Sequence, residues 1–599
     1  MLRDILKKMI YLKMKTKAIF FKCFHPFSLM VILMISYSVF HTSKNERLNS
    51  IISSDGRGYY AFLPSFFIYG STGGNERNIE IEQSYSKEKL VQTYLVKDEN
   101  GKAFNKYFPG VAILQTPFFG LAYIYSWLFN YPIDGYSLVF RIFYYLGSLF
   151  YAVLGMLFFT RSIRDFFELS DLKSSFFTLL FYCITPLLYY SENVFCFSHS
   201  YSFFLFGFFT LQLLKMSSNF NTRSIFILGM TVGLIFLVRP SDLTILLLIP
   251  FLLGDSLKFN HFMKALFVNK SKLGLIGLIG FLSVVMFLFF IWKWQTGKWL
   301  LWSYSGEGFY FFKPHLLDGL FSFRAGIFVN TPVLVLSFIG LTYMFIVDKW
   351  KATFMLIYLL INFWVITSWW CWDYETSFGC RPFTEHLFFA LFPLIVLIKR
   401  FFYISIVPVF VLLSISLIRY WEITTDFFTH QRFTKENYFE SLCFWDLNNK
   451  GRWNFTRSCE PFGELINSTV LFDRSSQQKI TSKNEFVCSS EMSIHFPRTN
   501  ERFYCRIELD KKFSTPRTTG VIVVVDAYNS KDLNKRFYLA NEMYNDKNDK
   551  PNSWKKFVLE TLISDCFQEF DTIKIYIWNQ SKKEFYIKNV KITLEEYKN

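Results

Sequence analysis

Eleven apolar stretches, each long enough or nearly long enough to cross a bilayer, recur near 24–41, 136–160, 174–191, 199–215, 224–238, 241–254, 273–292, 331–347, 352–368, 384–398 and 402–418. Nothing else in the sequence limits the fold so severely. In lipid a segment must satisfy its own backbone N–H and C=O groups, so such stretches become helices. A twelfth apolar stretch, 111–129, is broken by Pro117 and flanked by Pro109 and Pro132, and whether it crosses decides the topology. If it does not cross, the connections bearing Arg161, Arg164 and Lys173, then Arg223, then Lys258, Lys264, Lys270 and Lys272, then Lys349 and Lys351, and finally Lys399 and Arg400 all face the cytoplasm, as basic loops should. If it crosses, the same loops all face outside. The parity therefore predicts 111–129 as a juxtamembrane or re-entrant helix and about eleven spans.

This polytopic α-helical reading agrees with a composition of 52% hydrophobic and 21% aromatic residues, including 76 Phe, above the usual share of a soluble domain. The formal charge of +17 does not mark a nucleic-acid binder, because Lys and Arg stand in short clusters between apolar runs. The basic N-terminus, Arg3 through Lys22, precedes the first apolar stretch with no small-residue cleavage site after Phe40. It is read as a cytoplasmic end followed by a retained anchor.

Three regions follow. Residues 1–418 form the membrane domain, whose first external loop, 42–135, contains the juxtamembrane helix. Residues 419–454 are a connector. Residues 455–599 carry alternating, strand-like text such as Val521 to Asp526 and Phe585 to Ile592, which predicts an extracytoplasmic β-sandwich. In that tail the nearest-neighbour cysteine pairs are Cys443 with Cys459 and Cys488 with Cys505. Asn-x-Ser/Thr triplets occur at Asn454, Asn467 and Asn579.

Chemistry is expected where ionisable residues meet the external ends of the spans, since such groups are costly at a membrane boundary. Ser54-Asp55-Gly56-Arg57-Gly58-Tyr59-Tyr60 opens the first external loop, and a fixed carboxylate there suits a general base for a hydroxyl nucleophile. An exposed Asp in a turn is the plainer reading of the same residues. His199, Arg239, Arg324 and the run from Trp369 to His386, with Trp372, Arg381 and Glu385, follow at other external ends. His199 as a helix cap and Arg239 as a snorkelling side chain are the competing readings. Arg381 and Glu385, four apart, are predicted to share one helical face. The forks of Arg239, Arg324 and Arg381 suit phosphate oxygens. There is no Gly-rich phosphate loop, no His-Glu-x-x-His and no Gly-x-Ser-x-Gly. No metal ligand set and no cofactor is predicted, although a divalent metal is not excluded by the residues.

One helix, a large external loop opening on an acidic residue, a juxtamembrane helix, many short-looped helices and a soluble tail together resemble the GT-C superfamily of polyprenyl-phosphate-dependent membrane glycosyltransferases. Within it the text is similar to a bacterial branch related to the protein mannosyltransferases and lipid A aminoarabinose transferases. The residues carrying the likeness are Ser54 to Tyr60, Lys106-Tyr107-Phe108-Pro109-Gly110, Ser198-His199, Arg239-Pro240, Phe323-Arg324-Ala325-Gly326 and Ser377 to Pro382. The resemblance implies an inverting sugar transfer from a polyprenyl-phosphate donor to an extracytoplasmic glycan, lipid or protein, at a bacterial inner membrane. It implies Asp55 as the base, Arg239, Arg324 and Arg381 on the donor phosphate, and Arg57, Tyr59, Tyr60, His199, Trp372 and Glu385 lining the site. Protein mannosyltransferases present adjacent Asp and Glu in that loop, whereas this chain has Asp55-Gly56. The tail resembles jelly-roll modules. A flippase or transporter of lipid-linked saccharide is the alternative, but paired internal repeats are not evident; a non-catalytic envelope assembly protein is the third class.

Overall fold

The computed structural model describes residue 31 and residues 51–598 except 72–75, 86–93, 98–102, 217–220, 270, 305–306, 324, 375–377, 425–463, 494–500, 515–520, 529–535, 544–551, 566–570, 581 and 583. The first apolar stretch, most of the connector, Arg324, Asn454, Cys443 and Cys459 thus lie outside the described residues. The chain divides into two compact units. One comprises Met1–Ser305, Thr331–Thr367 and Pro382–Leu417; the other comprises Gly306–Asn330, Ser368–Arg381 and Ile418–Asn599. Two loop segments predicted as part of the membrane domain, 306–330 and 368–381, are therefore grouped with the tail.

The first unit is helical. Helix α1 spans Asp55–Phe67, α2 Gly110–Leu128, α3 Leu138–Phe167, α4 Asp171–Ile184, α5 His199–Met216, α6 Thr222–Val238, α7 Ser271–Thr296, α8 Leu334–Val347 and α9 Lys349–Thr367. Helix α10, Phe402–Thr424, begins in it. Among the described residues, five helices are long and apolar enough to cross a membrane: α2, α3, most of α7, α9 and the bulk of α10. These make the chain an integral membrane protein. Helix α2 is continuous through Pro117, and by length and composition it qualifies as a span even though the charge parity sets it aside.

Three predicted spans are not regular α-helices. The stretch 174–191 breaks at Pro186 into α4 and a short helix, Leu187–Glu192. The stretch 241–254 is a 3-10 turn, Pro240–Leu248, followed by Ile249–Leu253. The stretch 384–398 splits into Leu387–Ala390 and Phe392–Arg400, with Pro393 at the junction. Proline removes an amide donor and ends or restarts a helix at each of these places.

Close packing of helices rests on small residues. A Cβ on Gly229 would overlap the backbone of Gly277, and one on Gly280 would overlap that of Phe226, so α6 and α7 approach backbone to backbone. Caps sit at basic connections predicted to face the cytoplasm. The Ser170 hydroxyl accepts the Lys173 amide at the start of α4, and Asn221 Oδ1 accepts the Ser224 amide at 2.8 Å at the start of α6. Each satisfies an amide that the first helical turn leaves open.

In the second unit, antiparallel strands β3 Glu464–Arg474, β4 Gln478–Ile480, β5 Phe486–Ser493, β6 Glu501–Phe513, β7 Val521–Tyr528, β8 Arg536–Glu542, β9 Lys555–Asp565, β10 Thr572–Asn579 and β11 Phe585–Lys598 form two sheets. One has the order β5-β10-β7-β8; the other has β3-β11-β6-β9, with β4 also on β11. (Strands β1 Leu95–Lys97 and β2 Ala103–Asn105 form a separate two-stranded hairpin in the first unit.) Alternation places Ile573, Ile575 and Ile577 of one sheet and Ile507, Leu509, Ile587 and Ile592 of the other in a shared apolar core, as period-two strands require.

The predicted Cys488–Cys505 pair is not formed; both residues are free. They stand on strands of different sheets, β5 and β6, and Cys505 is fully buried opposite Leu594 and Thr561. Sequence neighbours in a two-sheet fold are not spatial neighbours. Of the Asn-x-Ser/Thr triplets, Asn467 is exposed, whereas Asn579 is fully buried, its amide donating to the Thr481 carbonyl at 3.3 Å.

Candidate active site

Asp55 is the first residue of α1, after Ser54 at a positive φ of 47°. The Tyr107 hydroxyl donates to Asp55 Oδ1 at 2.7 Å. Burial, and secondly the facing Asp55 carboxylate, hold the Tyr107 phenol well above its ordinary pKa, so it remains a proton donor. Tyr59 packs edge-on against the Tyr107 ring at 4.7 Å, and Lys106 Nζ stands 5.5 Å over the same ring. Asp55 itself is partly exposed.

Three glycines bring this carboxylate toward the ends of other helices. A side chain on Gly56 would occupy the space of Cys196 Cβ and Sγ, and one on Gly58 that of the Tyr107 ring. One on Gly110 would overlap the backbone of Leu237 and Val238. The start of α1 thus abuts the loop leading to Ser198 and His199, and the start of α2 abuts the end of α6, where Arg239 follows. Glycine alone allows backbones to approach this closely.

Around Arg239 the first unit builds a polar group from four elements. Arg239 Nη1 donates to Glu385 Oε1 at 2.7 Å and Nη2 to Ser198 Oγ at 2.9 Å. His199 Nδ1 lies 2.8 Å from Glu385 Oε2. One turn beyond Arg239, Asp242 Oδ1 is 3.8 Å from Nη1 and 3.5 Å from His386 Nε2, while Oδ2 accepts the Ser202 hydroxyl at 2.7 Å. His386 Nδ1 is 2.7 Å from both the Tyr358 hydroxyl and the Asn362 amide of α9. Glu385 and Asp242 are fully buried, His199 nearly so, and the Arg239 side chain is 18% exposed.

The residues expected from sequence are placed unequally. Asp55, His199, Arg239 and Glu385 lie in one compact unit, and the last three are in direct contact. Arg57 is buried in an ion pair with Glu82 at 2.5 Å. Tyr60 is a core residue whose hydroxyl donates to the Gly135 carbonyl and whose ring meets Tyr136 and Tyr144. Both hold the first loop together. Trp372 and Arg381 belong to the second unit: Trp372 is buried and stacked on His315 at 5.7 Å, and Arg381 lies over Tyr374 at 4.9 Å. The expected Arg381–Glu385 helical pair does not form a face, because Arg381–Phe383 is a 3-10 turn and the next helix begins only at Leu387.

Sequence reasoning missed Asp242 and gave no role to His386 or Tyr107, although both stand in runs it singled out. An acidic residue three positions after Arg239, inside an apolar run, was the signal for Asp242. Asp242, Glu385 and His386 also present potential metal-ligand atoms all within 4.8 Å of one another. The Arg239 guanidinium already supplies positive charge to both carboxylates, 2.7 Å from Glu385 Oε1 and 3.8 Å from Asp242 Oδ1. The group is better described as an ion network than as a metal centre.

No protein-family profile matches the chain, and no curated protein matches it. Among solved structures, the chain is similar to arabinosyltransferase EmbB from Mycobacterium smegmatis at 9% identity, covering 91% of this chain and 64% of that one, with a TM-score of 0.32. A likeness at that score carries no argument about the site, which stands on its own geometry.

Proposed function

We propose that the chain is an integral-membrane glycosyltransferase that moves a sugar from a polyprenyl-phosphate donor to an extracytoplasmic acceptor. The observation that carries this reading is the set of glycine contacts drawing a partly exposed carboxylate, Asp55, toward the helix ends that hold a partly exposed, carboxylate-anchored arginine, Arg239. A base and a phosphate-matched cation are the two groups such a transfer needs.

In this mechanism Asp55 takes the proton of the acceptor hydroxyl as its oxygen attacks the anomeric carbon. The bond from that carbon to the phosphate oxygen breaks, and the phosphate leaves with the electron pair. Arg239 neutralises the charge that develops. Displacement from one face inverts the anomeric centre. Tyr107, donating to Oδ1, fixes the carboxylate so that the other oxygen meets the acceptor. His199 and Glu385 support Arg239 in this proposal.

The finer architecture is part of the same reading: about eleven spans, a cytoplasmic N-terminus, an inner-membrane location and an external tail. Strand orders β5-β10-β7-β8 and β3-β11-β6-β9 support a jelly roll, since most consecutive strands cross from one sheet to the other, β3/β4 and β7/β8 excepted.

Asp55→Asn tests the chemistry. With full-length protein in lipid nanodiscs and a panel of polyprenyl-monophosphate sugars, transfer falls by about 10²–10⁴-fold, the usual contribution of a general base, while expression and insertion are unchanged. Mass spectrometry of envelope glycans then shows an acceptor lacking one sugar. Full transfer by the Asn variant removes Asp55 from the mechanism.

A further inference from the structure

A phosphate-binding arginine needs one counter-charge at most, yet Arg239 contacts two carboxylates, Glu385 and Asp242, together with His199 and Ser198. The enclosure is one-sided. Its partners Glu385, Asp242, His199 and Ser198 are exposed by no more than about one hundredth, whereas Arg239 is 18% exposed. The guanidinium therefore stands at the open margin of the network, with the carboxylates behind it.

We propose that Glu385 is a positioning residue for Arg239: its carboxylate holds the guanidinium against Ser198, so that the fork meets a phosphate oxygen in a fixed direction. The proposal rests on the reading of Arg239 as a phosphate-binding residue. An unrestrained arginine loses about 2 kcal/mol of rotamer freedom on binding, and a side chain already fixed by the fold does not lose it again. Both ends of the Arg239 side chain are constrained. At the stem its backbone is extended, φ −158° and ψ 114°, and is followed by Pro240. At the head, Nη1 meets Glu385 and Nη2 meets Ser198.

Glu385 is itself immobilised. Its second oxygen meets His199, whose ring packs on Tyr190 at a centroid distance of 4.5 Å. Asp242 supports the other side of Nη1, and it is tied to Ser202 and, through His386, to Tyr358 and Asn362. His199 from α5, Asp242 from the 3-10 turn and Glu385 from the segment before Leu387 are thus each held by contacts of their own. A carboxylate present only to neutralise charge would not require this second layer of contacts.

The test uses the full-length chain in nanodiscs and two probes, farnesyl monophosphate and farnesol, which differ only in the phosphate. Wild-type protein binds the phosphate ester more tightly than the alcohol, and Arg239→Gln removes the difference. Glu385→Gln weakens farnesyl monophosphate about tenfold, equivalent to about 1.4 kcal/mol, and leaves farnesol unchanged. Ser198→Ala, which removes the Nη2 contact without altering charge, weakens the phosphate ester about threefold and serves where the Gln variant fails to fold. Equal weakening of both probes in Glu385→Gln, or an unchanged phosphate preference in a folded Gln or Ala variant, overturns the positioning role while leaving Arg239 in place. A wild-type protein with no preference for the phosphate ester overturns the reading of Arg239 itself.

Discussion

The two units solve the interior problem in opposite ways. Near the ends of its helices the helical unit buries Glu385 and Asp242 against a partly exposed Arg239, with His199 and His386 behind them. The β unit buries an apolar cluster, with Val523, Val525, Ile573, Ile575 and Phe585 among its members, and leaves pairs such as Lys574–Glu491 at the surface. A buried ion network is costly unless its members are partnered, so the gathering of two carboxylates and two histidines beside Arg239, whereas the second unit buries charges such as Arg419 and Asp526, marks where geometry matters more than stability.

The contrast breaks most readily at Asp242. Replacing it with Ala leaves Arg239 and His386 with less counter-charge, and removal of one partner from a buried pair costs about 3–5 kcal/mol. A large drop in thermal unfolding temperature of the nanodisc-held protein is expected, and a shift of a degree or less would show the network to be dispensable for folding. In the β unit Ile575→Val removes one methylene from a core side chain and costs about 0.5–1.5 kcal/mol. Hydrogen exchange across β10 should register that loss locally. A larger effect there than at Asp242 would reverse the comparison.

The smallest effect concerns Glu508, where a hydrogen bond from Arg506 holds the carboxyl below its usual pKa. The folded state binds this proton less readily than the unfolded chain. The pair therefore contributes stability above the unfolded value of about 4.3, lost as pH falls through the lower folded value. Because Arg506 and Glu508 are 43% and 24% exposed, Glu508→Gln should remove less than about 1 kcal/mol of that pH dependence, read from unfolding of the full chain between about pH 5 and about pH 3.

Helices and strands were legible because their periods are written in the sequence, and the alternation of β10 is reproduced residue by residue. His199, Arg239 and Glu385 were legible as costly groups at helix ends. Their partnership was not, because the Glu385 contacts span 186 and 146 residues, and local spacing instead suggested Arg381. Asp242 was hidden inside a run read as a span; that run winds as a 3-10 turn. The Cys488–Cys505 error has the same origin: nearness in sequence stood in for nearness across two sheets.

The contact between Gly56 and Cys196 also sets a timetable for synthesis. Ser53 and Cys196 are 143 residues apart, so at about 5–20 residues per second the ribosome needs roughly 7–30 s after making Asp55 before its packing partner exists. Arg239 then waits a similar interval for Glu385. A newborn chain therefore carries Asp55 and Arg239 through the insertion machinery before either has its neighbours, and their contacts are complete only after the last third of the helical unit has been delivered.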